Sequence, residues 1–513
     1  MSRSTRVLGA LGVGYAGQAL MLVVGLWLTP FLLHRLGQQD YGLWLIALQM
    51  TAYLALLDLG VVALLPRETA YAVGRAGGER SPHDLPLIVG RATRLVLWQL
   101  PCVALVAGAV LVAMPAEWRG LQGPFAVIAV TFVLLFPLRV LSAVLQGLQE
   151  LAYLGMVSLG TWVGGTAVTV ALVLAGVGLY AVAAGWAAAQ VAAAVFWWQR
   201  LRRHHPAVLP RGLPPLTRAD ARAWLGSSVW VSVAQVAQVL LAGTDLVIIG
   251  KVLGPAAVVP YAVTAKLVSV LANQPQMVMQ AAMPALSELR ASARSRAQLL
   301  RTTTALTQMM LLMSGGICVV VLLVNGAFVS WWVSPRQYAG PAVTACLLAG
   351  MLLRHWNTTA VYTIFCLGYE RRIAVTTLID GIVTVGAAVL LVRVLGPVGA
   401  VLGSVAGVCL VSLPANFAAL IAGTGSSVAG VLVPLAPWFA RFAGLAAGAA
   451  VLARAWPAAA PIPIAVAGVL AVAVYAAVML PVALRAPLGT YLRPHLTAAQ
   501  RRFSRTLADA RRV

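Results

Sequence analysis

Charged residues are scarce in this sequence. Asp, Glu, Lys and Arg make up only 10% of the 513 residues, against roughly 25% in soluble globular domains. Hydrophobic residues make up 61%, and the mean hydropathy of +0.91 excludes an ordinary soluble protein. The apolar runs are continuous and long enough to cross a bilayer as helices, and they do not alternate as barrel strands do. The sequence therefore predicts an all-α polytopic membrane protein.

Acidic residues and cysteines are also few. The chain has 13 Asp and Glu against 36 Lys and Arg, a formal net charge of +23. Its basic residues lie in particular loops rather than in one patch, so no nucleic-acid partner is predicted. The five cysteines fall within apolar spans, without disulfide or metal spacing, and are expected to be small buried packing residues. They are Cys102, Cys318, Cys346, Cys366 and Cys409.

Sequence motifs for energy-coupling or catalytic chemistry are missing as well. There is no G-x-x-x-x-G-K-[ST] run, no H-E-x-x-H and no cysteine pair at zinc spacing, so no cofactor is predicted. The longest predicted outer loop, 326–340, is about 15 residues long and too short for an extracellular catalytic domain. A membrane glycosyltransferase or polymerase therefore remains only an alternative to a transporter.

Long apolar runs are what the chain does have, and they predict about fourteen transmembrane helices. If the N-terminus lies inside, the inner segments hold 26 arginines and the outer segments six basic residues, which places both termini in the cytoplasm. The predicted spans are 9–33, 41–64, 92–114, 122–146, 152–175, 178–199, 224–250, 255–283, 302–325, 341–366, 373–396, 398–421, 430–453 and 461–484.

Short landmarks recur along the chain at a nearly constant offset of 217 to 221 residues. Leu36-Gly37 corresponds to Leu253-Gly254, and Leu145-Gln146-Gly147 corresponds to Cys366-Leu367-Gly368. The repeat unit holds six helices, an even number, so the sequence predicts two parallel lobes that alternate access to a cleft.

The repeat predicts five regions. They are an N-lobe at 1–199, a basic cytoplasmic linker at 200–223, a C-lobe at 224–422, two further helices at 423–484 and a basic cytoplasmic tail at 485–513. The linker and the tail are expected to contact anionic membrane lipids.

One stretch carries a family resemblance. The segment TPFLLHRLGQQDYGLWLIALQMTAYLALLDLGVVALLPRETA, with LQGLQE at 145–150 and GVGLYAVAAGW at 176–186, resembles the polysaccharide transporter branch of the multidrug/oligosaccharidyl-lipid/polysaccharide (MOP) exporter superfamily. The resemblance covers 9 to about 422. It implies a MATE-like fold of two six-helix lobes plus two C-terminal helices. It also implies translocation of a lipid-linked oligosaccharide across the bacterial inner membrane.

Basic residues within the predicted spans are candidates for substrate binding, because isolated charges in a bilayer normally face a partner or a watery cavity. Arg139 and Arg354 occupy corresponding helices of the two lobes, and guanidinium groups suit a diphosphate. Lys266 and Arg67 are further candidates. The alternatives are structural: interlobe, capping or snorkelling arginines, and a Lys266–Asp245 pair.

Three intramembrane acids, Asp58, Asp380 and Asp245, are candidates for coupling transport to H⁺ or Na⁺. For Asp58, the alternative is a brace against Arg67 about two turns further on. Of the deeper tryptophans, such as Trp186, one or two are candidates for stacking on sugar rings, with core packing as the alternative.

The predicted function is a flippase for an undecaprenyl-diphosphate oligosaccharide used in O-antigen, capsule or exopolysaccharide synthesis. Polysaccharide synthesis enzymes are candidate partners of the tail. A multidrug cation antiporter of the same superfamily and a peptidoglycan-precursor flippase are the alternatives, besides the glycosyltransferase or polymerase. An antiporter for cationic drugs is expected to carry an acidic cavity, whereas basic residues outnumber acids within these spans.

Overall fold

A computed structural model describes residues 3–75, 84–210, 212–215, 217–291, 296–455 and 460–493. In this part of the chain the regular structure is entirely helical. Eleven helices are long and apolar enough to cross a membrane, or twelve if the bent pair Ser228–Leu241 and Thr244–Val252 forms one span. The predicted all-α membrane fold is confirmed. Most of the tail, residues 494–513, lies outside the described residues.

The predicted count of fourteen transmembrane helices is compatible with the eleven or twelve candidate spans of the described residues. A break at Gly37, where φ is 83°, divides one helix of 53 residues into the first two predicted spans. The helix Pro341–Cys366, which carries Arg354, is not among the eleven but matches the tenth predicted span. Every predicted span therefore has a helical counterpart in the described residues.

The chain divides into two compact units, 1–259 and 260–513. The lobe boundaries derived from the repeat stay a prediction. The first unit contains α1 Arg3–Ala55, α2 Val61–Arg75, α3 Asp84–Val112, α4 Arg119–Leu135, α5 Arg139–Gly147, α6 Leu151–Leu174, α7 Leu179–His204, α8 Arg218–Ala242 and α9 Thr244–Val252. The boundary falls within α10 Pro255–Ala291.

The second unit continues with α11 Arg296–Trp332, α12 Pro341–Cys366, α13 Glu370–Leu395, α14 Pro397–Gly407, α15 Leu413–Thr424, α16 Val428–Leu432, α17 Ala436–Ala455 and α18 Pro461–Ala483. A π-helix, Val408–Ser412, joins α14 to α15. The predicted linker is partly helical, because α7 extends to His204 and α8 starts at Arg218.

Each unit has its own apolar core. In the first, α2, α3 and α5 pack around residues such as Leu65, Val96 and Val144, all fully buried. In the second, α11, α17 and α18 pack around Trp438, whose indole N–H donates to the Tyr475 hydroxyl at 3.1 Å. Large apolar side chains also remain on the outside, as expected of helices that face lipid.

Hydrogen bonds between side chains join α11 to α12 inside the second unit. Thr307 donates to Thr359 at 3.0 Å, and the Ser314 hydroxyl lies 2.7 Å from His355 Nδ1. These bonds satisfy polar groups that would otherwise be costly in an apolar interior.

The cysteines are only partly as predicted. Cys318 and Cys366 are buried and Cys346 is half-buried, but Cys102 and Cys409 are exposed on helix surfaces. The prediction of burial is therefore wrong for these two. An apolar span has a lipid-facing side as well as a packed side, and composition does not distinguish them.

Candidate functional site

The LLDLG motif forms a helix break in the first unit. Helix α1 ends at Ala55, a single 3₁₀ turn covers Leu56–Asp58, and α2 begins at Val61. The break uses two left-handed residues, Leu59 with φ 48° and Gly60 with φ 72°. Glycine adopts such a conformation without the steric cost of a Cβ. The break leaves backbone groups without intrahelical partners, and these need other partners inside a membrane.

Asp58 and its neighbours supply those partners. Its carboxylate, whose side chain is 1% exposed, accepts the backbone N–H of Gly60 at 2.9 Å. The backbone carbonyl of Asp58 accepts a hydrogen bond from Gln99 Nε2 at 3.1 Å. Asp58 therefore stabilises the break and at the same time places a buried negative charge there.

A second break brings Arg139 to the same place. Helix α4 ends at Leu135, a 3₁₀ turn covers Phe136–Leu138, and α5 begins at Arg139 itself. Pro137 in this turn has no N–H to continue the helical ladder. Arg139 Nη2 lies 3.4 Å from Asp58 Oδ2, and Nη1 donates to the carbonyl of Ala55 at 3.4 Å.

Arg139 also faces open space. Its guanidinium lies 5.6 and 5.7 Å from the ring centroids of Phe136 and Phe132, within cation–π range. The side chain keeps 30% of its surface exposed, whereas that of Asp58 keeps 1%. This cation is held in position by protein oxygens and rings, and one side of it remains accessible.

The accessible side of Arg139 lines a cavity of about 390 Å³ inside the first unit. Polar and aromatic side chains share its wall with aliphatic ones. The indole N–H of Trp197 has no acceptor within the part of the chain that is described. The lining residues are Leu48, Thr51, Ala52, Ala55, Thr131, Phe132, Leu135, Arg139, Ser142, Trp186, Gln190, Ala194 and Trp197.

A second arginine–aspartate pair lies in the other unit. Arg354 Nη1 donates to Asp380 Oδ2 at 3.3 Å, and Nε donates to the Ser404 hydroxyl at 3.1 Å. Nη2 donates to the Ser404 carbonyl at 3.1 Å and lies 3.5 Å from Thr384 Oγ1. All three guanidinium nitrogens therefore contact protein oxygens, which link α12 to α13 and α14.

Asp380 is held as firmly as its partner. Thr384 donates to its Oδ1 at 3.0 Å, and Ser412, at the end of the π-helix, donates to its Oδ2. Gly407 allows this close approach, because a Cβ there would lie 2.3 Å from Asp380 Oδ1. The Asp380 side chain is 1% exposed.

Residues 94–334 match a family model described as "Polysaccharide biosynthesis protein". A lipid II flippase, MurJ, in an inward closed conformation superimposes with a TM-score of 0.64 at 9% identity, covering 93% of this chain and 100% of that one. An inward-facing multidrug resistance MATE transporter of the MOP superfamily gives 0.57 at 14% identity, covering 82% and 93%.

The chain has the fold of MurJ and of the MATE transporters. A further MOP transporter, from Pyrococcus furiosus and described as having a binding pocket of reverse polarity, gives a TM-score of 0.52 at 15% identity over 86% of this chain and 95% of that one. No curated protein matches the sequence. The MATE-like fold implied by the resemblance is confirmed, and these structural neighbours are named as transporters and a flippase.

Asp58 does not have the partner that the structural alternative gave it. Asp58 pairs with Arg139, so the brace against Arg67 is wrong. Arg67 instead contacts its neighbour Glu68 at 3.1 Å, and its side chain is 54% exposed.

Lys266 and Asp245, the two remaining candidates, lie in different units. Lys266 is exposed on α10, and Asp245 is half-buried in the first turn of α9. Their pairing stays a prediction.

Sequence reasoning missed most of the cavity wall. Thr51, Phe132 and Gln190 sit in apolar runs whose composition does not separate an inward face from a lipid face. Trp197 also lines the cavity, as Trp186 does. A polar residue one turn from a tryptophan on the same helix, as in Trp186 and Gln190, is the one sequence signal that points to this wall.

Proposed function

We propose that this protein is a flippase that moves a lipid-linked oligosaccharide across the bacterial inner membrane by alternating access, with both termini in the cytoplasm. The family model supports a role in polysaccharide biosynthesis, and the MOP fold supports transport. The observation that carries the proposal is the partly accessible Arg139 in a cavity lined by aromatic and hydrogen-bonding side chains.

The cavity suits a phosphate-bearing sugar. A guanidinium donates parallel hydrogen bonds to phosphate oxygens, and the accessible side of Arg139 provides such a donor. Thr51, Ser142 and Gln190 offer hydrogen-bonding groups for sugar hydroxyls, while Trp186 and Trp197 offer flat apolar faces for sugar rings. A volume of about 390 Å³ is in the range of small-ligand sites, so it suits one part of a headgroup rather than a whole polysaccharide.

Asp58 gives this site a means of coupling. In the observed state it neutralises Arg139 across 3.4 Å. A phosphate that binds Arg139 competes with Asp58 for the same cation. Protonation of Asp58 removes the competing charge, and we therefore assign Asp58 the role of the proton-coupling residue, whereas Na⁺ coupling is the alternative.

The second pair has a different part in the proposal. Arg354 already has all three nitrogens occupied by protein oxygens. We assign Arg354 and Asp380 to holding α12, α13 and α14 together. In this proposal Arg354 does not bind the substrate. Lys266 and Arg67 remain candidates for substrate binding, and Asp245 remains a candidate for ion coupling.

The experiment is translocation of a fluorescent undecaprenyl-diphosphate oligosaccharide in proteoliposomes. Arg139→Gln is expected to lower the rate about ten- to hundredfold, because a charge-assisted hydrogen bond is worth about 1.5–3 kcal/mol. Arg119→Gln, which removes the same charge from an exposed position, is the matched control and is expected to transport normally. Asp58→Asn is expected to lose its response to an imposed pH gradient.

The same proteoliposomes test the alternatives. A wild type that moves cationic drugs but no lipid-linked glycan contradicts the proposal and supports an antiporter. The cavity argues against that outcome, because its lining residues include no acid and the buried Asp58 is already paired with Arg139. Transport of lipid II in place of longer oligosaccharides would redirect the proposal to a peptidoglycan precursor.

A further inference from the structure

A second cavity of the first unit forms a groove along one face of α7. Its volume is about 840 Å³, and its wall is mostly apolar. Residues 191, 194, 195, 198, 199 and 202 follow helical spacing, so they form a single row on α7. The complete lining is Leu135, Leu138, Val191, Ala194, Val195, Trp198, Gln199, Arg202 and Arg203.

Two exposed arginines close one end of this groove. Neither Arg202 nor Arg203 has an acidic partner among the described residues. Arg200, two residues earlier on the same helix, is different because it pairs with Glu150 at 2.9 Å. The groove therefore combines an apolar wall with positive charge that no acidic side chain of the described residues neutralises.

The length of the groove matches one leaflet. Val191 and Arg202 are separated by a rise of about 17 Å along α7, and half of a hydrocarbon layer is about 15 Å. A lipid whose phosphate contacts Arg202 and Arg203 can lay its chain along Trp198, Val195 and Val191 to about the middle of the membrane.

The groove adjoins the Arg139 cavity. Leu135 and Ala194 line both of them. A headgroup held by Arg202 and Arg203 can therefore move into a neighbouring cavity that is lined by Arg139. The single row of side chains on α7, which faces Leu135 and Leu138, fits one chain better than the two chains of a phospholipid.

We infer that this groove is a docking site for a polyprenyl phosphate chain, with the phosphate on Arg202 and Arg203 and the chain on the α7 row. The identity of the chain rests on the proposed function. The site is a waiting position, from which the headgroup enters the Arg139 cavity while the chain remains in the groove.

The test is binding of undecaprenyl phosphate, without sugar, to the purified full chain by native mass spectrometry. Arg202→Gln with Arg203→Gln is expected to weaken binding at least about tenfold, because two charge-assisted contacts are lost. Arg218→Gln with Arg222→Gln removes the same charge from exposed positions on α8 and is expected to bind as the wild type does. Val195→Trp fills the groove and is expected to weaken binding without any change of charge.

Equal binding by the wild type and the Arg202/Arg203 double variant overturns the inference. Equal displacement of the probe by phosphatidylglycerol also overturns it, because the groove would then be an ordinary phospholipid site. The probe carries no sugar and no transport is measured. A wild type that binds the probe selectively but moves no glycan therefore rejects only the proposed function, and one that transports glycan without this binding rejects only the docking site.

Discussion

The two units each bury an aspartate against an arginine, but they use the pair differently. Arg139 sits between two helix breaks and lines a cavity, and its exposed fraction of 30% is close to the 25% of Arg354. Arg354 lies on the uninterrupted helix α12 and directs every guanidinium nitrogen at protein oxygens. An intramembrane charge is therefore a stronger candidate for ligand binding when the protein leaves some of its hydrogen-bonding capacity unused. The presence of the charge alone is a weaker criterion.

Removal of Arg354 is expected to cost the most stability. Arg354→Ala leaves Asp380 buried without its cation, which is expected to lower the free energy of unfolding by about 3–5 kcal/mol. Unfolding in detergent, followed by tryptophan fluorescence, measures this loss. The double variant Arg354→Met with Asp380→Leu removes both charges and is expected to recover most of the stability. If the double variant is as unstable as the single one, the Arg354–Asp380 pair is not the source of the loss.

Replacing each arginine by lysine separates the two pairs further. Arg354→Lys is expected to cost about 2 kcal/mol of unfolding free energy, because one ammonium cannot reach Asp380, Ser404 and Thr384 together. Arg139→Lys keeps a cation near Asp58 and is expected to cost less than about 1 kcal/mol. Melting temperatures of both variants in the same detergent provide the measurement. Equal costs would mean that the two guanidinium groups are equally engaged.

The helix break at Asp58 gives a third test. Gly60→Ala places a Cβ 2.9 Å from the Ser228 carbonyl at a φ of 72°, and is expected to cost about 1–3 kcal/mol of stability and to slow transport. Gly164→Ala is the matched control, because no atom lies within 4 Å of its added Cβ and its backbone is helical. A Gly60→Ala protein that transports at the wild-type rate would show that the break need not hold Asp58 in place.

The smallest expected effect concerns an ion pair outside the spans. Partial burial by itself raises the pKa of Glu150, but hydrogen bonds and charges from Arg200 and His205 outweigh it, so the pKa is lowered overall. A lowered pKa contributes stability above the ordinary value of about 4.3, and this contribution is lost as the pH falls below it. Glu150→Gln is therefore expected to cost less than about 1 kcal/mol at pH 6.

Melting curves from pH 6 to pH 3 test this expectation for Glu150. The difference between the wild type and Glu150→Gln should shrink towards acid pH, because the wild-type carboxylate is protonated there. A difference that grows on acidification contradicts the assignment of a lowered pKa to Glu150.

Sequence alone sufficed for the fold class, because hydropathy in a membrane protein is set by the solvent around each span. It also singled out Asp58, Arg139, Arg354 and Asp380, since a charge within an apolar run is conspicuous. The partners were not predictable in the same way. Asp58 and Arg139 lie on different broken helices, and their contact depends on how those helices pack.

Composition did not indicate where these helices break. The span predicted at 41–64 reads as one apolar run, yet the chain leaves the α-helix at Ala55 and resumes it at Val61. Leu59 adopts a left-handed conformation there, which no local preference of leucine indicates. The bond from Asp58 to Gly60 and the bond from Gln99 hold this geometry, and both depend on the tertiary structure.

The π-helix Val408–Ser412 sets the phase of the helix that contains it. A π turn accommodates one residue more than an α turn, so residues on its two sides are rotated by about 100° relative to an unbroken α-helix. This rotation lets Ser404 face Arg354 while Ser412 faces Asp380. Deleting one residue from the π turn, such as the exposed Leu410, would restore an even helical register and turn one of these two serines away from the pair.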